Sequence, residues 1–385
     1  MRVLRIAHSS LTPALRQRER ALVRCYPEVN LEVVTTERWL EAEMDVEAVR
    51  DDLFPVRTAR SHLSKHIQLF AYDPRPIVKA LRQHRPDLID MNHESYSVAA
   101  AEILTLCSWF APAAPIVMQA NQNIFRNYPF PFGRLEQRAF RRIAAAYACS
   151  ETVREVLRAK GFDKPAPIIP FGVNTEAFRP PPSPGERSDR PLTIGYVGRM
   201  QRGKGLNVLA DALDKIKDAN WQLLVVGDGP ERKSFSGRLS ASRLLERAEF
   251  TGAVNFELVP DYFHKLDVMV IPTETTKRIR EQFGRVIIEA MASGVPVIGS
   301  TSGAIPEVIS EAGIVFPEGD AAALAGALRQ LLSDAGLRER LALAGLERAE
   351  QYSWERVAEK TYALYQQVMR AAPESMRQAS VEVAA

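Results

Sequence analysis

The chain has 385 residues, more than one ordinary core organises and about what two domains of roughly 150 residues need. Hydrophobic residues make up 46% and charged residues 25%, which excludes a largely disordered chain. A formal net charge of +3 is too small to mark a dedicated nucleic-acid binder.

The charge is unevenly spread. Residues 1–180 hold 25 Lys and Arg against 20 Asp and Glu, and residues 181–385 hold 25 against 27, so the front half is mildly basic. Cys25, Cys107 and Cys149 are odd in number and lack metal-ligand spacing, which fits a reducing compartment and opposes a disulfide framework. The apolar part of MRVLRIAHSS is too short for a signal peptide. The longest apolar stretch, residues 97–118, is broken by Glu102, Pro112 and Pro115 and makes a poor spanning helix. A cytoplasmic location is expected.

In chain order, short β-branched runs alternate with helical patterns. The front half offers Val3–Ala7, Leu31–Thr35, Asp87–Met91, Ile116–Gln119, Tyr147–Cys149 and Ile168–Pro170. The back half repeats the scheme at Leu192–Val197, Gln222–Val226, Glu249–Thr251, Asp267–Ile271, Val295–Ile298 and Gly313–Phe316. Continuous apolar strands separated by helices indicate parallel sheets covered on both faces. Two such series predict an α/β protein of two Rossmann-like, doubly wound domains facing a central cleft.

The Pro-rich polar stretch 179–190 cannot form a core element and reads as the linker. It divides a domain at 1–178 from one at 191–353. Val357, Ala358, Leu364, Val368 and Met369 give residues 354–371 an apolar helical face, and 372–385 reads as a tail.

Ligands of open parallel sheets bind beyond the carboxyl ends of the strands, so the loops there carry the chemistry. The most informative stretch is Glu281-Gln-Phe-Gly-Arg-Val-Ile-Ile-Glu-Ala-Met291. Its apolar run predicts a buried helix containing Glu289, and a buried carboxylate needs a partner. Ribose hydroxyls would serve, as would a neighbouring Arg. Phe283, Gly284 and Arg285 are expected in the first helical turn, whose free N–H groups and dipole suit a phosphate. Glu281 stands just before it, either at the ligand or as a solvated helix-start residue.

This pattern, followed by Gly294-Val-Pro-Val297, resembles the signature of retaining glycosyltransferases of family 4, which have the GT-B fold. The stretch Gly195-Tyr-Val-Gly-Arg-Met-Gln-Arg-Gly-Lys-Gly205 resembles that family's Gly-Arg-x-x-x-x-Lys-Gly loop. The resemblance extends to Pro170–Pro180, Val226–Pro230 and Ile271–Thr275, and is strongest over residues 145–370. It implies a transferase that moves a sugar from a nucleotide-diphosphate sugar, UDP- or GDP-linked, with retention and without a metal or other cofactor. Glu281, Arg199 and Lys204 would be catalytic. Glu289, Phe283, Gly284, Arg285, Gly198, Gly227, Gly229 and Thr251 would bind the donor.

The front half departs from the family. Many relatives carry a Gly-Gly loop after the first strand, where this chain has His8-Ser9-Ser10. Counting along Ile116–Gln119 puts Asn121 where many carry a His, and an amide cannot act as a base. Asn121 is expected to position sugar or acceptor. His8, Ser9, His93, Glu94 and Asn123 are acceptor-side candidates, with structural polar groups as the bland reading. Arg16, Arg18, Arg20 and Arg24, and again Arg134, Arg138, Arg141 and Arg142, read as solvated faces or as contacts for an anionic membrane surface. The acceptor is expected to be a saccharide, a small molecule or a lipid-linked group, with no nucleic acid involved. The second function class is a non-catalytic sugar-nucleotide or carbohydrate binder, and the third a GT-B phosphorylase.

Overall fold

A computed structural model describes all residues except 42, 43, 65, 182–189 and 372–385. Most of the expected linker and the whole expected tail thus lie outside the described residues. The chain forms two compact units, one of Met1–Pro170 with the segment from Trp354 onward, the other of Phe171–Ser353.

Unit 1 runs Arg2–Ala7 (β1), Gln17–Cys25 (α1), Asn30–Thr36 (β2), Arg38–Glu41 (β3), Met44–Glu47 (β4), Val56–Ala59 (β5), Ser61–His62 (β6), Ala71–Tyr72 (β7), Pro74–His84 (α2), Leu88–Asn92 (β8), Val98–Phe110 (α3), Ile116–Ala120 (β9), Phe132–Arg142 (α4), Ala145–Ala148 (β10) and Glu151–Ala159 (α5). Its six-stranded sheet has the order β10-β9-β8-β1-β2-β5, with every pair parallel. The chain order therefore reverses between β1 and β8.

Unit 2 runs Leu192–Val197 (β11), Leu206–Lys215 (α6), Trp221–Val226 (β12), Arg232–Ala241 (α7), Ala248–Gly252 (β13), Val259–Phe263 (α8), Val268–Ile271 (β14), Arg285–Ala292 (α9), Val297–Ser300 (β15), Ile305–Ile309 (α10), Gly313–Phe316 (β16), Ala321–Ser333 (α11) and Ala335–Glu350 (α12). Its sheet order is β13-β12-β11-β14-β15-β16, again all parallel, with the reversal between β11 and β14. Helix Trp354–Ala371 (α13) then belongs to unit 1. Its Val357, Ala358, Leu364 and Val368 are buried in that unit's core with Leu22, Leu31 and Leu88.

Three features differ from the expectation. Ile168–Pro170 is no full strand: it makes one bridge, Ala148 to Ile168. Pro165 and Pro167 offer carbonyls to Ala146 and Ala148, but a proline has no N–H to return. Strands β3 to β7 went unread because their short, charged sequences show no alternation of apolar and polar residues.

The third difference lies in the first basic segment. Arg16 and Arg18 are buried, so they form no solvated or membrane-facing surface. Arg16 donates to the Leu11 and Val49 carbonyls at 2.6 Å, and Arg18 bonds Asp90 at 2.8 Å. Arg20 is paired with Asp51 and Asp52, each at 2.6 Å, and only Arg24 of the four is exposed. Asp90 is fully buried and also takes Arg5 at 2.9 Å and the Tyr147 hydroxyl at 3.2 Å. The Tyr365 hydroxyl of α13 donates to it as well, which ties α13 to the middle of the sheet.

Candidate functional site

In unit 2 the two loops at the chain reversal meet. After β11 the loop carries Gly198, Arg199 and Lys204, and after β14 it carries Glu281. Lys204 Nζ lies 2.7 Å from Glu281 Oε2, and the Thr273 hydroxyl donates to the same oxygen at 3.3 Å. The Glu281 carbonyl accepts from Ala304 N at 3.1 Å, so the loop after β15 holds it too. Glu281 is thus fixed by three loops at the carboxyl edge, where an open α/β sheet places its ligand. The Arg199 carbonyl accepts from the buried Tyr196 hydroxyl at 3.0 Å. Burial, then the nearby Glu281 charge, push that phenol up.

The helix after this loop is shorter than expected. Gly284 is its N-cap at φ 82°, and Arg285 is the first helical residue. This left-handed backbone costs an L-side chain about 1–2 kcal/mol, and a Cβ here would meet Ile287 at 2.8 Å. Phe283 is therefore no part of the first turn. It is buried against Phe171 and Tyr352, both at 5.5 Å between ring centroids. Ile287 N–H already bonds the Gly284 carbonyl at 2.8 Å, which leaves Arg285 and Val286 as the N–H groups of this end.

Glu289 is buried one turn further, 3.5 Å from the Arg285 guanidinium. Burial pushes its carboxyl up, and Arg285 opposes this. The neighbouring-Arg partner is thus present, though long for a hydrogen bond. The glycines of the β12 loop pack on the β11 loop: a Cβ on Gly227 would stand 2.2 Å from the Gly198 carbonyl oxygen, and one on Gly229 2.3 Å from that of Met200. The Thr251 hydroxyl is taken by backbone carbonyls, at 2.9 Å by Gly252 and 3.4 Å by Val225.

Unit 1 gathers its candidates at the corresponding reversal. His8 follows β1 and His93 follows β8, with ring centroids 5.2 Å apart. His93 Nε2 lies 3.1 Å from the buried Tyr72 hydroxyl. Burial holds His8 down to about 4 and His93 well below its ordinary value, so both are neutral near pH 7. Ser9 is half-buried in the turn after His8.

Asn121, after β9, donates to Asn92 Oδ1 at 3.1 Å and accepts from Gln119 at 3.4 Å. Arg5 bonds Gln119 at 2.9 Å, so a chain of polar contacts links Asn121 to the buried charges. Asn123 is buried. Glu94 lines a small cavity with Asn121, Gln122 and Lys160. Burial pushes its carboxyl up to about 7, with Lys160 opposing and Glu136 adding. Lys160 itself is paired with Glu136 at 2.9 Å.

Sequence reasoning missed Tyr72, Phe70, Trp39, Asn92, Lys160 and Glu136. Trp39 offered a signal, as a tryptophan just past a predicted strand end. Among the described residues no group of three or more His, Cys, Asp or Glu could hold a metal, and no helix is long and apolar enough to cross a membrane.

Residues 191–334 match the family Glycosyl transferases group 1, and residues 20–177 match Glycosyltransferase Family 4. The phosphatidyl-myo-inositol mannosyltransferase of Mycobacterium leprae is 35% identical over 59% of this chain and 60% of its own. A sulfoquinovosyl transferase of Arabidopsis thaliana is 32% identical over 48% of this chain and 36% of its own. The chain thus spans between about a third and three fifths of these curated relatives' length. Among solved structures, Anabaena HepE in complex with UDP superposes at TM-score 0.75 and 16% identity, covering 95% of this chain and 100% of that one. Sucrose-phosphate synthase from Thermosynechococcus elongatus does so at 0.71 and 21%, covering 96% and 100%. The fold is GT-B.

Proposed function

The chain belongs to the group 1, family 4 glycosyltransferases, and from that premise we propose that it moves a sugar from a nucleotide-diphosphate sugar to an acceptor hydroxyl, with retention of anomeric configuration. The observation that carries this reading is the Lys204–Glu281 pair at 2.7 Å, a cation and a hydrogen-bonding carboxylate fixed at the chain reversal of unit 2.

Unit 2 takes the donor in this reading. Lys204 and Arg199 neutralise the diphosphate, aided by the Arg285 and Val286 amides at the start of α9. Glu281 then turns to the hydroxyls of the transferred sugar. Glu289, pushed up by burial, takes the ribose hydroxyls. The breaking glycosidic bond leaves charge on the phosphate and an oxocarbenium-like sugar. Cations fixed beside that phosphate stabilise the transition state more than the ground state. The neutralising charge comes from the two side chains, and a metal has no part in the proposal, so transfer should survive EDTA.

Unit 1 takes the acceptor, with His8, Ser9, His93, Glu94, Asn121 and Asn123 about its carboxyl edge. Asn121 orients and does not take a proton. Arg134, Arg138 and Arg141 are exposed on α4 and would face an anionic membrane surface if the acceptor is lipid-linked. The deciding experiment is a thermal-shift panel of UDP-, GDP- and ADP-sugars, followed by NMR of the sugar released by slow hydrolysis. One donor should raise the melting temperature and yield the retained anomer first. No stabilisation and no hydrolysis with any donor would overturn the reading.

A further inference from the structure

Beyond the carboxyl ends of β2 and β5, unit 1 holds a cavity of about 620 Å³. Small-molecule sites span roughly 300–1,000 Å³, so the size is that of a ligand pocket. Glu37 follows β2, Arg60 follows β5, and the β3–β4 hairpin supplies Arg38, Trp39 and Asp45.

Trp39 is half-buried and fixed from behind. Its ring lies 4.5 Å from His8 and 5.0 Å from Phe70, which is fully buried. The indole therefore stands as a rigid wall, presenting an apolar face at low entropic cost. Around it Arg38 donates to Glu47 Oε1 at 3.0 Å with Asp45 3.6 Å away, and Arg60 is 3.7 Å from Glu37. Three carboxylates beside two guanidinium groups give no net attraction for an anion such as a phosphate. They do set planar donors beside planar acceptors, which suits adjacent hydroxyl groups that both give and take hydrogen bonds. An apolar flat wall with paired donors and acceptors at its rim is complementary to a pyranose, whose ring has C–H faces and a hydroxylated edge.

We propose that this cavity binds an uncharged pyranose of the acceptor, stacked on Trp39 with its hydroxyls bridged by Asp45, Arg60 and Glu37. The inference rests on the glycosyltransferase reading and deepens it: the acceptor is a neutral saccharide and not a bare phospholipid headgroup.

The test is saturation-transfer NMR on the full chain with maltose, cellobiose, lactose and glycerophosphoinositol as probes. At least one disaccharide should bind, with saturation strongest on the C–H protons of one ring face. Its affinity should fall at least tenfold in Trp39→Ala, and again in the Glu37→Ala/Arg60→Ala double variant, whose exposed side chains are not needed for folding. Trp109→Ala, exposed on α3, should leave it unchanged. Binding of none of the disaccharides, equal binding by both variants, or binding of glycerophosphoinositol alone overturns the proposal. Donor thermal shifts on the same samples separate the two levels. Donor stabilisation without disaccharide binding removes this pocket alone, whereas loss of both removes the glycosyltransferase reading as well.

Discussion

In unit 2 the loops after the two central strands bring a lysine and a glutamate to 2.7 Å, whereas in unit 1 the equivalent loops bring together two imidazoles 5.2 Å apart. Beneath those loops the relation is inverted. Unit 1 aligns Arg5 with Asp90 on its central strands, and unit 2 aligns Ile194 with Val268 and Gly195 with Met269. One strand order thus carries two distributions of charge. A diphosphate needs fixed cations at the strand ends, and unit 2 puts them there. Hydroxyl groups need neutral donors and acceptors, and unit 1 offers imidazoles, amides and paired charges at its edge, while Arg5 and Arg18 pair with Asp90 in its core.

The largest effect should come from that core. Asp90→Ala leaves Arg5 and Arg18 to share the one carboxylate of Glu19 and should cost about 3–5 kcal/mol in urea unfolding, the usual penalty for breaking a buried ion pair. A loss under 1 kcal/mol would mean that the core charge of unit 1 is incidental. Next, Lys204→Ala and Glu281→Ala should each lower turnover at least tenfold, about 1.4 kcal/mol or more. Near-wild-type transfer by both would falsify the donor site and dissolve the contrast between the two edges.

A pH series sharpens the neutral side. Glu94 is pushed from 4.5 up to about 7, so across that window the folded chain keeps a proton the unfolded chain has lost, and stability falls as pH rises. His8, lowered from 6.5 to about 4, acts in the opposite sense, because the unfolded chain there holds the extra proton. Glu94→Gln should therefore make stability climb more steeply from pH 4.5 to 7. An unchanged slope in urea midpoints would show that Glu94 is solvated. The smallest effect per residue is expected at the surface: Arg134→Glu/Arg138→Glu/Arg141→Glu should weaken co-sedimentation with anionic vesicles, each position by on the order of 1 kcal/mol. Pelleting indifferent to salt and to the variant removes the membrane contact.

These contrasts were unevenly legible. The strands of both six-stranded sheets, β5 apart, could be read because parallel strands buried on both faces spell continuous apolar runs. Loops after β11 and β14 could be read because glycines punctuate them and charged residues stand at strand ends. The helix start at Gly284 was misplaced by a residue or two, since only its left-handed backbone separates cap from turn. Arg5 and Asp90 did leave a trace, opposite charges in the middle of two apolar runs, but pairing them needs the register of strands 85 residues apart. Trp39 and its pocket rest on a short hairpin whose charged sequence has no period to detect.

The path of the chain gives the two units different standing as pieces. Phe171–Ser353 begins and ends at one place, since Val173 N bonds the Tyr352 carbonyl at 2.9 Å and Val173 bridges Ser353. A segment whose ends already touch is a cassette: cutting the chain at both ends severs no element of its own. Residues 1–170 have no such independence, because Asp90 receives the Tyr365 hydroxyl from a helix made last. Until that helix arrives, the half of the molecule synthesised first remains unfinished.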